Sequence, residues 1–230
     1  MKREHGERVR AVDLVLDESI YPRHGIDDTH VRQLAEARRA GIDLPPVVVQ
    51  RHTNRVVDGF HRIAAELREA GEEALISVEW RDYPSDAALF ADAMLLNSRH
   101  GQVLATYDRV RCIALARQLG IPDIETAARL QITVETVERL ILTRTAIGPE
   151  AALVPLKFTA ASLAGRELTG EQFRANDRAS GMSVLFSVNQ VLNAISGDLL
   201  DWRNEALVGR LETLREVLNR VLDERLEPAV

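Results

Sequence analysis

The chain predicts an α+β N-terminal domain followed by an all-α helix-turn-helix and a C-terminal helical region. Three features predict it. β-branched runs alternate with Ala- and Leu-rich helical stretches as far as about residue 104, the apolar spacing is helical from Thr106 onward, and the chain closes on leucines repeated at steps of four and three. The expected divisions are 1–104, 105–148 and 149–230, and 230 residues are ample for them.

Val12 to Leu16 alternates weakly and predicts a first short strand. Tyr21-Pro22-Arg23-His24-Gly25 predicts a turn, and Asp27-Asp28-Thr29 supplies capping groups for a helix from about His30 to Ala40, ended by Gly41. Leu44-Pro45-Pro46 leads into the apolar strand Val47 to Gln50, His52-Thr53-Asn54 makes a hairpin turn, and Val56-Val57 returns as its partner. A helix follows Gly59 to about Ala70, with Gly71 as its stop. Leu75 to Tyr83 predicts another strand, with Ile76, Val78 and Trp80 on one face. Ser85 caps a helix to about Asn97, where Asn97-Ser98-Arg99-His100-Gly101 breaks the pattern.

In the second half, Tyr107 to Leu119 carries an apolar stripe through Val110, Ile113, Ala114 and Ala116. Asp123 is placed to cap a short helix holding Ala127, Ala128 and Leu130, and Thr133 to cap another holding Val137, Leu140 and Ile141. Small Ala127 at the crossing, with Ile132, Val137 and Leu140 as a wedge, is helix-turn-helix spacing, although Gln131 stands where the turn usually has Gly. A bundle fragment has the same pattern. Gly148-Pro149 closes the module, and residues 150–180 predict short helices with loops. Met182 to Ile195 is an amphipathic helix, and Trp202 is placed to begin the last one. There Leu207, Leu211, Leu214, Leu218 and Val221 form a coiled-coil seam of about two heptads. A hairpin packed within one subunit explains that seam nearly as well as a dimer does. The two-fold habit of helix-turn-helix readers favours a homodimer through the C-terminal helices.

Composition removes several functions. Aromatic residues are 4% of the chain, too few for base-stacking platforms, and no apolar run reaches membrane-spanning length. The charged N-terminus has no apolar core behind it, so no signal peptide is expected. A lone Cys112 in an apolar pattern predicts a buried thiol and a cytoplasmic protein, and binding of DNA would make it nucleoid-associated. The net charge of −6 opposes duplex DNA, but residues 106–146 carry six arginines against five acids and escape the acidic bias. If the second short helix enters the major groove, Glu135, Thr136 and Arg139 are best placed for base edges, with Thr133 and Arg144 nearer phosphates.

The chemistry centres on Val57-Asp58-Gly59-Phe60-His61-Arg62, a strand end, a sharp turn and a helix start. Open N–H groups and a partial positive charge at a helix start suit phosphate, Arg62 adds a two-pronged grip, and Asp58 is placed to hold a metal or orient His61. An ordinary strand–turn–helix junction has the same residues. There is no Walker loop, no His-Glu-x-x-His and no pair of Cys ligands, and His24 and His30 read as solvated surface residues.

In this order the parts resemble the ParB family, with its ParB/sulfiredoxin-like N-terminal domain, and its StrR-like transcriptional regulators above all. The resemblance runs from about Val12 to about Arg144. It is carried by Pro22-Arg23, His30 to Glu36, Leu44 to Val49, Val57 to Arg62, and Asn97 to Gly101. It implies a nucleotide-binding domain for CTP or another NTP with magnesium, a DNA-binding helix pair and a dimerisation element. By position, Gly41, Asp58, Gly59, His61, Arg62, Asn97 and His100 would form the nucleotide site, with Asn97 also toward magnesium. Leu96 stands where CTP-hydrolysing members have Glu, and His100 where they have Arg. An apolar side chain cannot ligate a hard cation, so binding is expected with at most weak hydrolysis. Phe60 stands where a sulfiredoxin needs Cys, which removes that activity.

The expected function is therefore a dimeric StrR-like regulator that binds double-stranded DNA and a nucleotide. A plasmid or chromosome partition clamp shares these parts. A small-molecule kinase using ATP shares the Asp-Gly-x-His-Arg turn, with Asp58 or Glu18 as base, but has no use for a DNA-binding helix pair. The nucleotide expectation requires an available guanidinium. Arg62 salt-bridged deep inside the fold, with no cavity nearby, would overturn it.

Overall fold

The structure, a computed structural model, describes residues 7–99, 103–179 and 184–226. Residues 1–181 form one compact unit and 182–230 a second. The first unit is built on a four-stranded mixed sheet of order β1-β4-β2-β3. Its strands are β1 (Arg8–Arg10), β2 (Val47–Gln50), β3 (Val56–Asp58) and β4 (Leu75–Arg81). β2 and β4 run parallel, β3 pairs antiparallel with β2 through the expected hairpin, and β1 pairs antiparallel with β4. Three helices accompany the sheet: α1 (Asp28–Arg39), α2 (Phe60–Ala70) and α3 (Asp86–Arg99).

The uninterrupted apolar run of β2 is explained by burial on both faces. Side chains alternate along a strand, so Val47 and Val49 point one way and Val48 the other. Val47, Val49 and Val56 pack with Phe60 and Ile63 of α2, Tyr21, and Ile76 and Val78 of β4. Val48 and Val57 join the opposite core, with Leu89, Phe90 and Met94 of α3.

That second core does not stop at the sheet domain. It continues through Val110 and Ile113 of α4 (Thr106–Gln118), Ala127 and Leu130 of α5 (Asp123–Leu130), and Val137 and Leu140 of α6 (Val134–Arg144). The wedge expected between the two short helices is present, but it belongs to a core shared with the sheet. Thr133 caps α6, its hydroxyl accepting from the Thr136 amide at 3.2 Å. The turn runs through Gln131 in a left-handed conformation (φ 55, ψ 42).

Several expectations are corrected. The first strand is Arg8–Arg10, whereas Ala11–Asp13 is a 3-10 turn and Val15 makes only a single bridge to Arg55. α1 begins two residues early because the Asp27 carboxylate accepts from the Thr29 and His30 amides. Asn97 lies inside α3. α5 has Pro122 at its cap position, and Asp123 forks with Arg117 instead. Trp202 precedes the last helix and donates to Asp198 at 3.2 Å.

The expected all-α second half is also interrupted. β5 (Thr145–Ile147) follows α6 directly and pairs antiparallel with β6 (Leu153–Pro155). Buried Ala146, Val154, Leu156 and Leu168 give this hairpin its own small core. α7 (Gly170–Arg178), started by a Thr169–Gln172 capping box, is tied on by buried Asn176. The Asn176 side chain accepts from the Lys157 amide and donates to the Pro155 carbonyl, each at 3.0 Å.

The second unit contains α8 (Val184–Ser196) and α9 (Glu205–Leu226). Val188, Leu192 and Ile195 of α8 are exposed, as are Leu214, Val217, Leu218, Val221 and Leu222 of α9. Among the described residues no helix is long and apolar enough to cross a membrane.

A left-handed residue with a Cβ costs about 1 kcal/mol that glycine avoids. Gln131→Gly is therefore expected to stabilise the first unit by roughly 0.5–1 kcal/mol in urea unfolding. A loss of that size would mean that the Gln131 side chain contributes contacts outweighing its backbone strain.

Candidate functional site

Gly59 is left-handed at φ 114 and serves as the cap position of α2, with no side chain capping the helix. A Cβ there would lie 2.5 Å from Val47 Cγ1 and 3.0 Å from Arg62 Nη2. Its bare face is therefore covered by the protein itself, by a core valine and a guanidinium.

That guanidinium is held on three sides. Arg62 Nη1 donates to the Pro45 carbonyl at 2.8 Å and to the Pro46 carbonyl at 2.7 Å. Arg62 Nη2 donates to Asp58 Oδ2 at 2.6 Å, an ion pair across one helical turn, and the arginine side chain is 14% exposed. Asp58 Oδ1 lies 3.5 Å from Nδ2 of buried Asn97, which also donates to the Ala93 carbonyl at 2.9 Å. Asp58, Gly59, Arg62 and Asn97 are thus brought together, as the sequence led one to expect, but around each other.

His61 is buried and equally engaged. Its Nε2 accepts from the Asp27 amide at 2.9 Å, which leaves Nδ1 to carry the proton and donate to the Tyr21 hydroxyl at 3.2 Å. Tyr21 in turn stacks on Phe60, with ring centroids 3.9 Å apart. His30 packs edge-on against His61 at 5.0 Å, so it is not the solvated residue expected. Burial first, then the neighbouring His30 and Arg23 charges, lowers the His61 pKa to about 4. The imidazole is neutral at physiological pH and bridges α2 to the cap of α1.

Gly41 is accounted for by helix termination. Its amide donates to the Arg38 carbonyl and the Ile42 amide to Ala37, with φ 80 at the glycine. His100 lies outside the described residues. Leu96 packs against the shared core, and among the described residues no group of three or more His, Cys, Asp or Glu is placed to hold a metal ion. Among the described residues, a small cavity of about 30 Å³ is lined by Arg38, Asp43, Pro45 and Glu66, and a larger one of about 380 Å³ by Gln50, His52, Asp82, Tyr83 and Pro84. As arranged, Arg62 faces two carbonyls and a carboxylate, His61 Nε2 accepts from the Asp27 amide, and no side chain caps the start of α2. Of the kinase bases, Asp58 is ion-paired and Glu18 is exposed on a separate 3-10 turn.

Two residues of this neighbourhood were missed, Tyr21 and Asp108, whereas Asp27 was expected as a cap and also gives its amide to His61. Buried Asp108 of α4 accepts from the His24 amide and ring Nδ1, both at 3.0 Å, and Cys112 Sγ lies 3.4 Å from the Pro22 carbonyl. The loop at 21–24 therefore stitches the sheet domain to α4. Burial pushes the Cys112 thiol up to about 12, so it is inert. Asp108 stands four residues before Cys112 on one helix face, and that spacing was the available signal.

The second candidate surface is α6. Glu135 and Arg139 are exposed, Thr136 is half-buried, and Leu142 is exposed one turn further on. The helix start and the Thr133 hydroxyl hold the Glu135 carboxyl below its usual range. Arg144 is half-buried, its guanidinium 5.2 Å over the Phe158 ring. Arg117 is forked by Asp123, and Arg129 pairs with Glu125 at 3.1 Å.

No protein-family model matches the chain. Over 104 residues it is 41% identical to the transcriptional regulator NovG of Streptomyces niveus, covering 45% of this chain and 30% of the relative. Over 108 residues it is 36% identical to a possible regulatory protein of the streptomycin biosynthesis operon of Streptomyces griseus, covering 44% and 29%. The chain thus spans under a third of the length of these curated relatives. Among solved structures, Caulobacter crescentus ParB complexed to the parS site is similar at 14% identity and TM-score 0.45, over 60% of this chain and 72% of the other. The same protein complexed with CTP-γ-S gives 16% and TM-score 0.35, over 57% and 73%. The sequence relatives are of the StrR-like kind that the turn motif resembles.

The pH dependence of stability follows from His61. Its pKa is near 6.5 when unfolded and about 4 when folded, so the unfolded chain takes up the proton first as pH falls. Stability is full above about pH 6.5 and is expected to drop by on the order of 2–3 kcal/mol on the way to pH 4. Thermal melts between neutral and mildly acid pH, with His61 followed by NMR, check this. An imidazole titrating at its ordinary value would contradict the bridging role.

Proposed function

We propose that this chain is a DNA-binding transcriptional regulator of the StrR-like kind, reading duplex DNA with α6 and acting as a homodimer through α9. The observation that carries the reading is the α5–α6 pair. A tight left-handed turn at Gln131 and a Thr133 cap fix the start of α6, while Glu135, Arg139 and Leu142 stand on its open face. The relation to two regulators supports the same reading.

Charge sets the style of recognition. Around the helix pair Arg117 and Arg129 are neutralised by acids, and Arg144 is turned onto Phe158. The Arg139 side chain has no ion pair or hydrogen bond among the described residues, which leaves it available to a guanine edge. Glu135 repels phosphate and suits the amine of cytosine. With few cations for the backbone, affinity comes from base edges and from engaging two half-sites at once. Two-fold pairing is supported by the apolar side chains that α9 leaves exposed, with a seam at heptad spacing.

Footprinting on DNA upstream of genes at its own locus tests the function, and absence of any protected site would sink it. Arg139→Ala is expected to weaken the protected site by roughly 5–150-fold while changing non-specific binding little. Equal loss on both would make Arg139 a phosphate contact. In sedimentation equilibrium the chain is expected at twice its mass, and Leu218→Asp at the mass of one copy. A wild-type monomer would remove the pairing.

A further inference from the structure

We infer that α8 is part of the pairing surface: the apolar faces of α8 and α9 are covered by α8 and α9 of a second copy, closing a four-helix core, rather than by α9 zipping alone. This rests on the homodimer reading and adds α8 to it.

The second unit has no interior of its own. None of its described side chains is buried, and Leu207, Val208 and Leu211 at the start of α9 are only half-buried. Helices of this length without a packed core are marginal in water, so their stability has to come from covering the apolar faces. α8 has such a face and little else. Its thirteen residues include no Asp, Glu, Lys or Arg. Val188, Val191, Leu192 and Ile195 recur at helical spacing and are 36–54% exposed, with Gln190 and Asn193 on the opposite side.

The flanks of the α9 seam indicate how many helices meet. In a two-stranded coiled coil the positions beside the seam carry charge and face water. Here Val208, Val217 and Leu222 occupy flanking positions, and Val217 and Leu222 are 41% and 51% exposed. An apolar stripe of that width suits a helix with two neighbours, as in a bundle. Area points the same way. The exposed apolar side chains of α9 offer about 400 Å² per copy, half of the roughly 800 Å² per partner that a stable pair buries. The α8 face adds about 300 Å² and brings the total close to that size. A second copy is the occupant these faces match, because two-fold pairing sets like against like and α8 has no charge with which to select an unlike partner.

The test uses the full chain in sedimentation equilibrium. Leu192→Asp is expected to raise the dimer dissociation constant by roughly 100-fold or more, since the two-fold axis buries the carboxylate twice. Gln190→Asp, on the polar side of α8, is expected to pair as wild type does. Hydrogen exchange gives a readout that leaves α8 unmutated: when Leu218→Asp separates the copies, α8 amides are expected to lose about tenfold or more of their protection. A Leu192→Asp chain paired as tightly as wild type, or α8 amides indifferent to separation, overturns the inference and leaves pairing through α9 standing. A wild-type monomer removes both, and a wild-type mass of four copies overturns the two-copy core. If Leu192→Asp fails to fold, the exchange comparison still decides.

Discussion

The three valines Val47, Val48 and Val49 set the constraint on which the rest of the fold depends. Side-chain alternation sends their bulk to opposite faces, so β2 must be covered twice. Each fully buried valine contributes about 1.5 kcal/mol or more from water exclusion, and neither face can be left open. α2 with Tyr21 and Phe60 closes one side. α3 and then α4, α5 and α6 close the other. The candidate DNA-facing helices are in this sense a lid on the sheet, and their position follows from the strand.

At the end of β3 the same constraint meets an electrostatic one. The chain must turn from a strand buried on both faces into α2, bringing Asp58 and Arg62 together across a helical turn and setting the Pro45–Pro46 carbonyls beside them. A half-buried carboxylate and a nearly buried guanidinium are costly alone and stable as a pair with further acceptors. His61 solves the neighbouring problem by staying neutral and using both ring nitrogens, one for the Asp27 amide and one for Tyr21. Groups that resemble a phosphate site in order and spacing also join α1, α2 and the strand hairpin.

Local features were legible in the sequence. The β2 strand, the stop at Gly71 and the Thr133 cap depend on residues next to one another, and all were readable. β1 was misplaced because Val9 acquires its strand character from pairing with Ile76, 67 positions away in the chain. β5 and β6 were missed because strands of three residues are too short to show a period. The site was legible in membership and not in its internal bonding. Asp58, Gly59, Arg62 and Asn97 were all named, but nothing local announces that Arg62 reaches back to Pro45 and Pro46. The burial of His61 was not readable because it arises from Tyr21 and His30, on segments whose packing a linear pattern does not reveal.

The common interior of sheet and helices carries an implication for how such a chain can diversify. Because Val48 and Val57 share their packing with Leu130, Val137 and Leu140, the second short helix is not a detachable cassette. Grafting it elsewhere would strip those three residues of their neighbours, and replacing it here would disturb the strands beneath. Only outward positions such as Glu135, Arg139 and Leu142 can vary without reaching the interior, and on the proposed reading any change of DNA preference would fall on them.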